Sequence, residues 1–215
     1  MSERLAEHRL AKLLMPGSVA LVGASPKAGS VGNGMVQGLR GGGFTGRIYP
    51  INPNYREIEG IACYPSLADL PEPVDHVLLG VANARLEKAM EEAAASGANA
   101  ATILASGYLE GDRSPPLTER LAKLARQAKM QLCGGNGMGF YNHESRVRIC
   151  GFPPPAWVGP GPIALITHSG SVFASLAHND RRFAYSLAVS AGQELITTAA
   201  DSNAHEILTR RKPHG

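Results

Sequence analysis

Residues 18–34 read SVALVGASPKAGSVGNG. The first six, 18–23, form a short apolar run of the kind that makes a strand buried on both faces. A glycine-rich loop follows, and the pattern turns helical over about 32–40. A strand that passes through such a loop into a helix offers unpaired backbone N–H groups and the positive end of a helix dipole, and phosphate suits that position. Lys27 adds a full positive charge. No Gly-Lys-Ser/Thr closes the loop, so it is not a Walker A loop. A G-x-G-x-x-G run is also missing. The nearest fit, Gly32, Gly34 and Gly38, is spaced G-x-G-x-x-x-G and falls late.

The same beat continues outward. Apolar runs at 47–51, 74–81, 100–105 and 131–133 read as strands. Residues 84–96 read as a helix stopped by Gly97, and 115–129 as a helix with Leu117, Leu121 and Leu124 on one side. Upstream, in 1–17, Leu5, Leu10, Leu13 and Leu14 share a helical face that Pro16 and Gly17 end. Alternation of strand and helix predicts an α/β fold, a parallel sheet with helices on both faces and a ligand at the carboxyl ends of the strands. The stretch FPPPAWVGPGP at 152–162 reads as a linker over 153–162 closing a first unit at 18–152, with Trp157 anchoring it. Beyond it lie a strand at 163–167, a helical stretch to about Asn179, a strand at 185–190 and a helix start at Asn203. Two strands are too few for an independent sheet, so 163–215 is expected to be incomplete or completed by another chain.

Composition narrows the function. Hydrophobic residues make up 44% and charged residues 18%, which excludes a disordered chain. The net charge of +3 is too small for nucleic acid, which also needs a basic stripe with aromatics. Arg181-Arg182 and Arg210-Arg211-Lys212 read as solvated surface. Cys63, Cys133 and Cys150 have no metal spacing and read as free buried thiols of a reducing compartment. No targeting or membrane segment stands out, so a soluble cytoplasmic protein is expected. A nicotinamide dinucleotide site wants an acid at the end of the second strand. That strand ends Ile51-Asn52-Pro53, with no acid before Glu57, which argues against the alternative of an NAD(P)-dependent oxidoreductase. His168 beside Ser169 is not part of a G-x-S-x-G elbow, and neighbours on a strand point to opposite faces.

Five motifs in order carry a resemblance: Gly-Ala-Ser with Gly-Ser-Val-Gly at 23–32, Ile51-Asn52-Pro53, Ala105-Ser106-Gly107-Tyr108, Gly134-Gly135-Asn136-Gly137-Met138-Gly139 and Thr167-His168-Ser169-Gly170-Ser171. Over about 13–201 the chain resembles the NDP-forming acyl-CoA synthetases, relatives of the succinyl-CoA synthetase alpha subunit. The resemblance implies a Rossmann-like CoA-binding domain followed by the start of a flavodoxin-like domain. It implies that Gly23, Ser25, Lys27, Gly29, Ser30, Val31 and Gly32 hold CoA phosphates, and that Asn52 and Pro53 lie along the nucleotide part of CoA. Val81 and Ala82 would contact CoA, and Ser106 and Gly107 the pantetheine side. Asn136 would stand near the acyl and thiol site, where Gly135 and Gly137 replace the family's Pro and small polar residue. Ser169, Gly170 and Ser171 match the turn that faces the phosphohistidine.

The family joins a carboxylic acid, CoA and a nucleoside triphosphate (ATP with Mg) through an acyl phosphate and a phosphohistidine. Its members take aliphatic or aryl acids. The Gly/Ser-His-Thr-Gly segment that carries the phosphohistidine does not occur in this sequence, nor does the nucleotide-grasp part, and His205 and His214 fall where the likeness has ended. The expectation is therefore the CoA-binding part of an acid–CoA ligase that works with a nucleotide-grasp domain or subunit, free to form a homo-oligomer. The alternative is a non-catalytic CoA-binding module.

Overall fold

In the computed structural model the described residues are 8–153, 156, 159–180 and 182–202. Leu5, Trp157, Arg181, Asn203, His205, His214 and the cluster at 210–212 lie outside them. The chain order is α1 (Ala11–Leu14), β1 (Ser18–Val22), α2 (Val31–Gly41), β2 (Arg47–Ile51), a small hairpin of β3 (Glu57–Ile58) and β4 (Ile61–Ala62), β5 (His76–Leu79), α3 (Asn83–Ala95), β6 (Ala100–Ile103), α4 (Leu117–Gln127) and β7 (Gln131–Cys133). Next come β8 (Gly139–Asn142), β9 (Val147–Ile149), β10 (Ile163–Thr167), α5 (Gly170–Phe173), a wider helical turn at Ala174–His178 and β11 (Tyr185–Ser190).

The first sheet runs β2-β1-β5-β6-β7, and every pair in it is parallel. β1, β5 and β6 are buried at every position, as continuous apolar runs require when both faces are covered. Met35, Val36 and Leu39 of α2 pack on one face with Leu10, Leu13 and Leu14. Leu86 and Met90 of α3 and Leu117 and Leu121 of α4 pack on the other. The chain goes outward from β1 to β2, then returns to β5 on the other side of β1. That reversal opens a crevice above the carboxyl ends of β1 and β5, where ligands of such sheets bind.

The second sheet differs from the expectation of two strands. It has four, in the order β10-β11-β8-β9. β10 and β11 are parallel, while β8 pairs antiparallel with both β11 and β9. Half of it thus comes from residues before the proline stretch, so a boundary at 152/153 does not separate the sheets. The β8–β9 hairpin is short and includes Asn142 and Arg148, which hide its apolar pattern. Arg148 is buried all the same, with its guanidinium over the Tyr141 ring at 5.4 Å.

The late glycines of the opening motif join the two sheets. Gly34, Gly38 and Gly42 lie four apart, on one face of α2 and at its end. A Cβ at Gly34 would sit 2.6 Å from the Gly151 carbonyl carbon and 2.9 Å from the Phe152 nitrogen. At Gly38 and Gly42 it would sit 3.2 Å from the Arg148 oxygen and 3.1 Å from the Arg146 oxygen. This face of α2 meets the backbone of β9 and its flanks, so these glycines serve packing. Among the described residues no helix is long and apolar enough to cross a membrane, and no group of side chains could hold a metal ion.

Candidate functional site

The loop after β1 is shaped by contacts that only glycine permits. Gly23 has φ +90°, and a Cβ there would lie 2.7 Å from the Gly80 carbonyl oxygen. At Gly32 a Cβ would lie 2.8 Å from the Ser25 nitrogen and closer still to the Gly23 oxygen. Gly29 has φ +75° in open space, so it answers a turn and not a close approach. Ser25 Oγ accepts from the Lys27 amide at 3.1 Å. Ser30 Oγ donates to the Lys27 carbonyl at 2.7 Å and accepts from the Asn33 amide at 3.1 Å, which makes it the N-cap of α2. The Val31 and Gly32 amides, first in the helix, have no carbonyl within the helix to bond. Lys27 is exposed at the crown of the loop.

Asn52 ties the next loop to this one. Its Nδ2 donates to the Ala24 carbonyl at 2.8 Å, and its Oδ1 accepts from the Asn54 amide at 3.0 Å. It fixes the glycine loop and starts the turn that leaves Pro53 exposed. Glu59, the acid next along after Glu57, accepts from Asn33 Nδ2 at 3.0 Å and pairs with Arg40.

Val81 and Ala82 follow β5, half-buried and exposed respectively. The sequence reading passed over the next residue. Asn83 Nδ2 donates to Ser106 Oγ at 2.9 Å, while its Oδ1 accepts from the Gly107 amide at 2.9 Å. One side chain at the start of α3 thereby holds the loop after β6. Its only signal in the sequence was an Asn just beyond a strand, where side-chain amides often bond backbone.

Arg120 braces the far end of that loop. Its guanidinium donates to Glu87 at 2.9 Å and Asp112 at 3.1 Å, and to the Pro115 and Arg113 carbonyls. The Arg120 bond holds the Glu87 carboxyl below its usual range. Burial opposes the Asp112 carboxylate, but the Leu117 amide and Arg120 outweigh it and keep its pKa low.

From β7 the chain crosses to the second sheet through Gly134-Gly135-Asn136-Gly137. The Asn136 amide bonds the Ala105 carbonyl at 2.8 Å, and the Gln193 amide bonds the Gly135 carbonyl at 2.8 Å. A Cβ at Gly137 would lie 2.6 Å from the Ser190 oxygen, and one at Gly135 3.0 Å from the Ala105 oxygen. The crossing is thus squeezed between the loops after β6 and β11, which leaves no room for a side chain at Gly137 and little at Gly135. Asn136 itself is exposed, with φ +56°, a conformation Asn tolerates. Met138 bonds Ser190 Oγ through its amide, and a Cβ at Gly170 would lie 3.2 Å from Met138 Cγ. This brings Ser169, Gly170 and Ser171 beside the crossing. Ser169 Oγ caps α5 by accepting from the Val172 amide at 3.2 Å.

The candidate residues therefore form one rim along the carboxyl ends of the strands, from Asn52 through the glycine loop, Val81, Ser106 and Asn136 to Ser169. His168 turns away from Ser169, toward the Gly192 carbonyl and Glu194. The three thiols are unpaired and buried, and burial pushes Cys133 up to about 12, so none is poised as a nucleophile.

A rim of this build lies at the carboxyl ends of a parallel sheet, where ligands of such folds bind. Residues 17–143, more than half of the chain, match the family described as CoA binding domain, and the chain belongs to the NDP-forming acyl-CoA synthetase family as its CoA-binding part. The ADP-forming acetate–CoA ligase I of Archaeoglobus fulgidus is 32% identical over 88% of this chain and 28% of its own length. A trans-feruloyl-CoA synthase of unknown prokaryotic origin is 30% identical over 92% of this chain and 29% of its own. Among solved structures, the apo acetyl-coenzyme A synthetase 1 of Candidatus Korarchaeum cryptofilum, described as dinucleotide-forming, superposes with a TM-score of 0.83 at 27% identity. That match covers 95% of this chain and 44% of that one, and the same protein is known in complex with phosphate and ADP. The chain spans about a quarter of the length of these curated relatives.

Proposed function

We propose that the rim binds CoA and presents its thiol to an activated carboxylic acid, within an acid–CoA ligase that uses ATP with Mg and an acyl phosphate. The observation that carries this reading is the close approach of Gly23 to Gly80 at the switch point, which leaves the α2 amides and Lys27 around one crevice. In this reading Ser25, Lys27, Gly29, Ser30, Val31 and Gly32 cradle phosphate. Asn52 and Pro53 flank the nucleotide, while Val81, Ala82, Ser106 and Gly107 follow the pantetheine arm. Asn136 and Ser169-Gly170-Ser171 stand at the acyl and phosphoryl end. The phosphohistidine and the nucleotide-grasp part belong to segments beyond the rim. Buried unpaired thiols suit a cytoplasmic setting.

Calorimetric titration of the chain with CoA, with NADH as control, tests this. Saturable CoA binding is expected, and none for NADH. Lys27→Ala should weaken CoA about tenfold, the scale of one lost charge-assisted phosphate contact at ~1.5 kcal/mol. Absence of CoA binding, or a Lys27→Ala variant that binds as tightly as the parent, would overturn it.

A further inference from the structure

Tyr108 is 72% exposed, well beyond Val31 at 46%, the next large apolar side chain in rank. Its ring and hydroxyl have no partner among the described residues. A lone exposed tyrosine on a mobile loop would mean little, but this loop is held at both ends. Ser106 Oγ accepts from Asn83 and, at 3.3 Å, from the Tyr108 amide itself. The adjoining Gly107 amide is bound by Asn83 Oδ1, and at the far end Arg120 clamps Asp112 and two loop carbonyls. The ring is thus kept in water by a braced backbone, a preorganised arrangement that lowers the ordering cost of a contact.

Its place along the rim says which part of a ligand it meets. β6, which leads to Tyr108, is three strands from β2, which leads to Asn52. At about 4.8 Å per strand that separation is ~14 Å. On the reading above, the nucleotide of CoA lies at the Asn52 end, so the thiol end lies toward β6 and the Asn136 crossing. Gly107 also adjoins that crossing, since Gln193 is near a Cβ built at either Gly107 or Gly135. We propose that Tyr108 is a specificity-determining residue for the acid, stacking on a planar aromatic acyl group carried by CoA. The inference rests on the CoA reading of the rim.

The test is calorimetric titration of the full chain with CoA, acetyl-CoA and trans-feruloyl-CoA. Feruloyl-CoA is expected to bind about tenfold tighter than acetyl-CoA, the scale of one aromatic stack. Tyr108→Ala should abolish that preference, and Tyr108→Phe should keep it. If Tyr108→Ala weakens all three ligands equally, the ring meets the adenine of CoA and the assignment to the acid falls. A preference that survives Tyr108→Ala, or no preference in the parent chain, also overturns it. Failure of all three to bind would instead remove the reading of the rim, and this assignment with it.

Discussion

Replacing Gly34 by alanine is expected to destabilise the protein by about 3 kcal/mol, as overpacking against rigid backbone does. In an isolated helix the change would help by about 1 kcal/mol. Here the new methyl meets the Gly151 carbonyl carbon at 2.6 Å and the Phe152 nitrogen at 2.9 Å, with no flexible side chain to move aside. Either α2 or the second sheet must shift. Gly38 supplies the control within the same helix. Its Cβ would lie 3.2 Å from the Arg148 oxygen and 3.4 Å from Cys150 Sγ, so the helix gain and a mild clash should leave stability within ~1 kcal/mol of the parent. Urea unfolding of the parent and the two variants checks this, and equal midpoints for the two variants would sink it. The second sheet also carries Ser169 and helps position Asn136. A shift at Gly34 should therefore be felt at the acyl end of the rim before the phosphate end.

That contrast shows what the sequence could and could not reveal. The run at 18–34 was enough for the strand, the loop and the helix, because apolar continuity and glycine chemistry are local. The lack of an acid after Ile51 was readable for the same reason, since the end of a strand is a local feature. The second sheet was not legible. Its β8–β9 hairpin is only seven strand residues long and hides Arg148 in the core, so pattern alone gave it no signal. Gly34 and Gly38 looked like a displaced dinucleotide fingerprint, because spacing does not say whether a glycine faces a ligand or a neighbouring strand. Gly135 and Gly137 pose the same problem. Their close neighbours, Ala105, Ser190 and Gln193, come from segments distant in sequence. Asn83 escaped notice since its two bonds, to Ser106 and Gly107, reach across 23 and 24 positions. Local chemistry was visible, and contacts between elements were not.

His76 should make the fold acid-sensitive well above the range where carboxylates titrate. It lies on β5, fully buried, with its ring 5.9 Å from that of Phe140. Nδ1 lies 3.0 Å from the Leu13 carbonyl, which can only accept, so Nδ1 carries the proton. Nε2 is buried with no hydrogen-bond partner, so a second proton would place an uncompensated charge in the core. Burial lowers the pKa from 6.5 to about 4, against smaller opposing effects of the Leu13 carbonyl and Asp75. The sign follows from proton uptake. As pH falls through 6.5 the unfolded chain gains a proton that the folded chain refuses, so stability drops from about pH 6.5 down to about pH 4. Between pH 7 and pH 5 this one group should remove ~2 kcal/mol. His76→Leu leaves the Leu13 carbonyl unbonded and costs stability at every pH, but that cost is independent of pH. The comparison is therefore of slopes: urea unfolding at pH 7 and pH 5 should show the parent losing ~2 kcal/mol more than the variant. Equal losses would mean that the buried ring is charged in the fold or reached by water. Since α1 supplies the Leu13 carbonyl and β8 supplies Phe140, the histidine sits where the first sheet, the N-terminal turn and the second sheet meet. Its protonation should loosen that junction and move both sheets together.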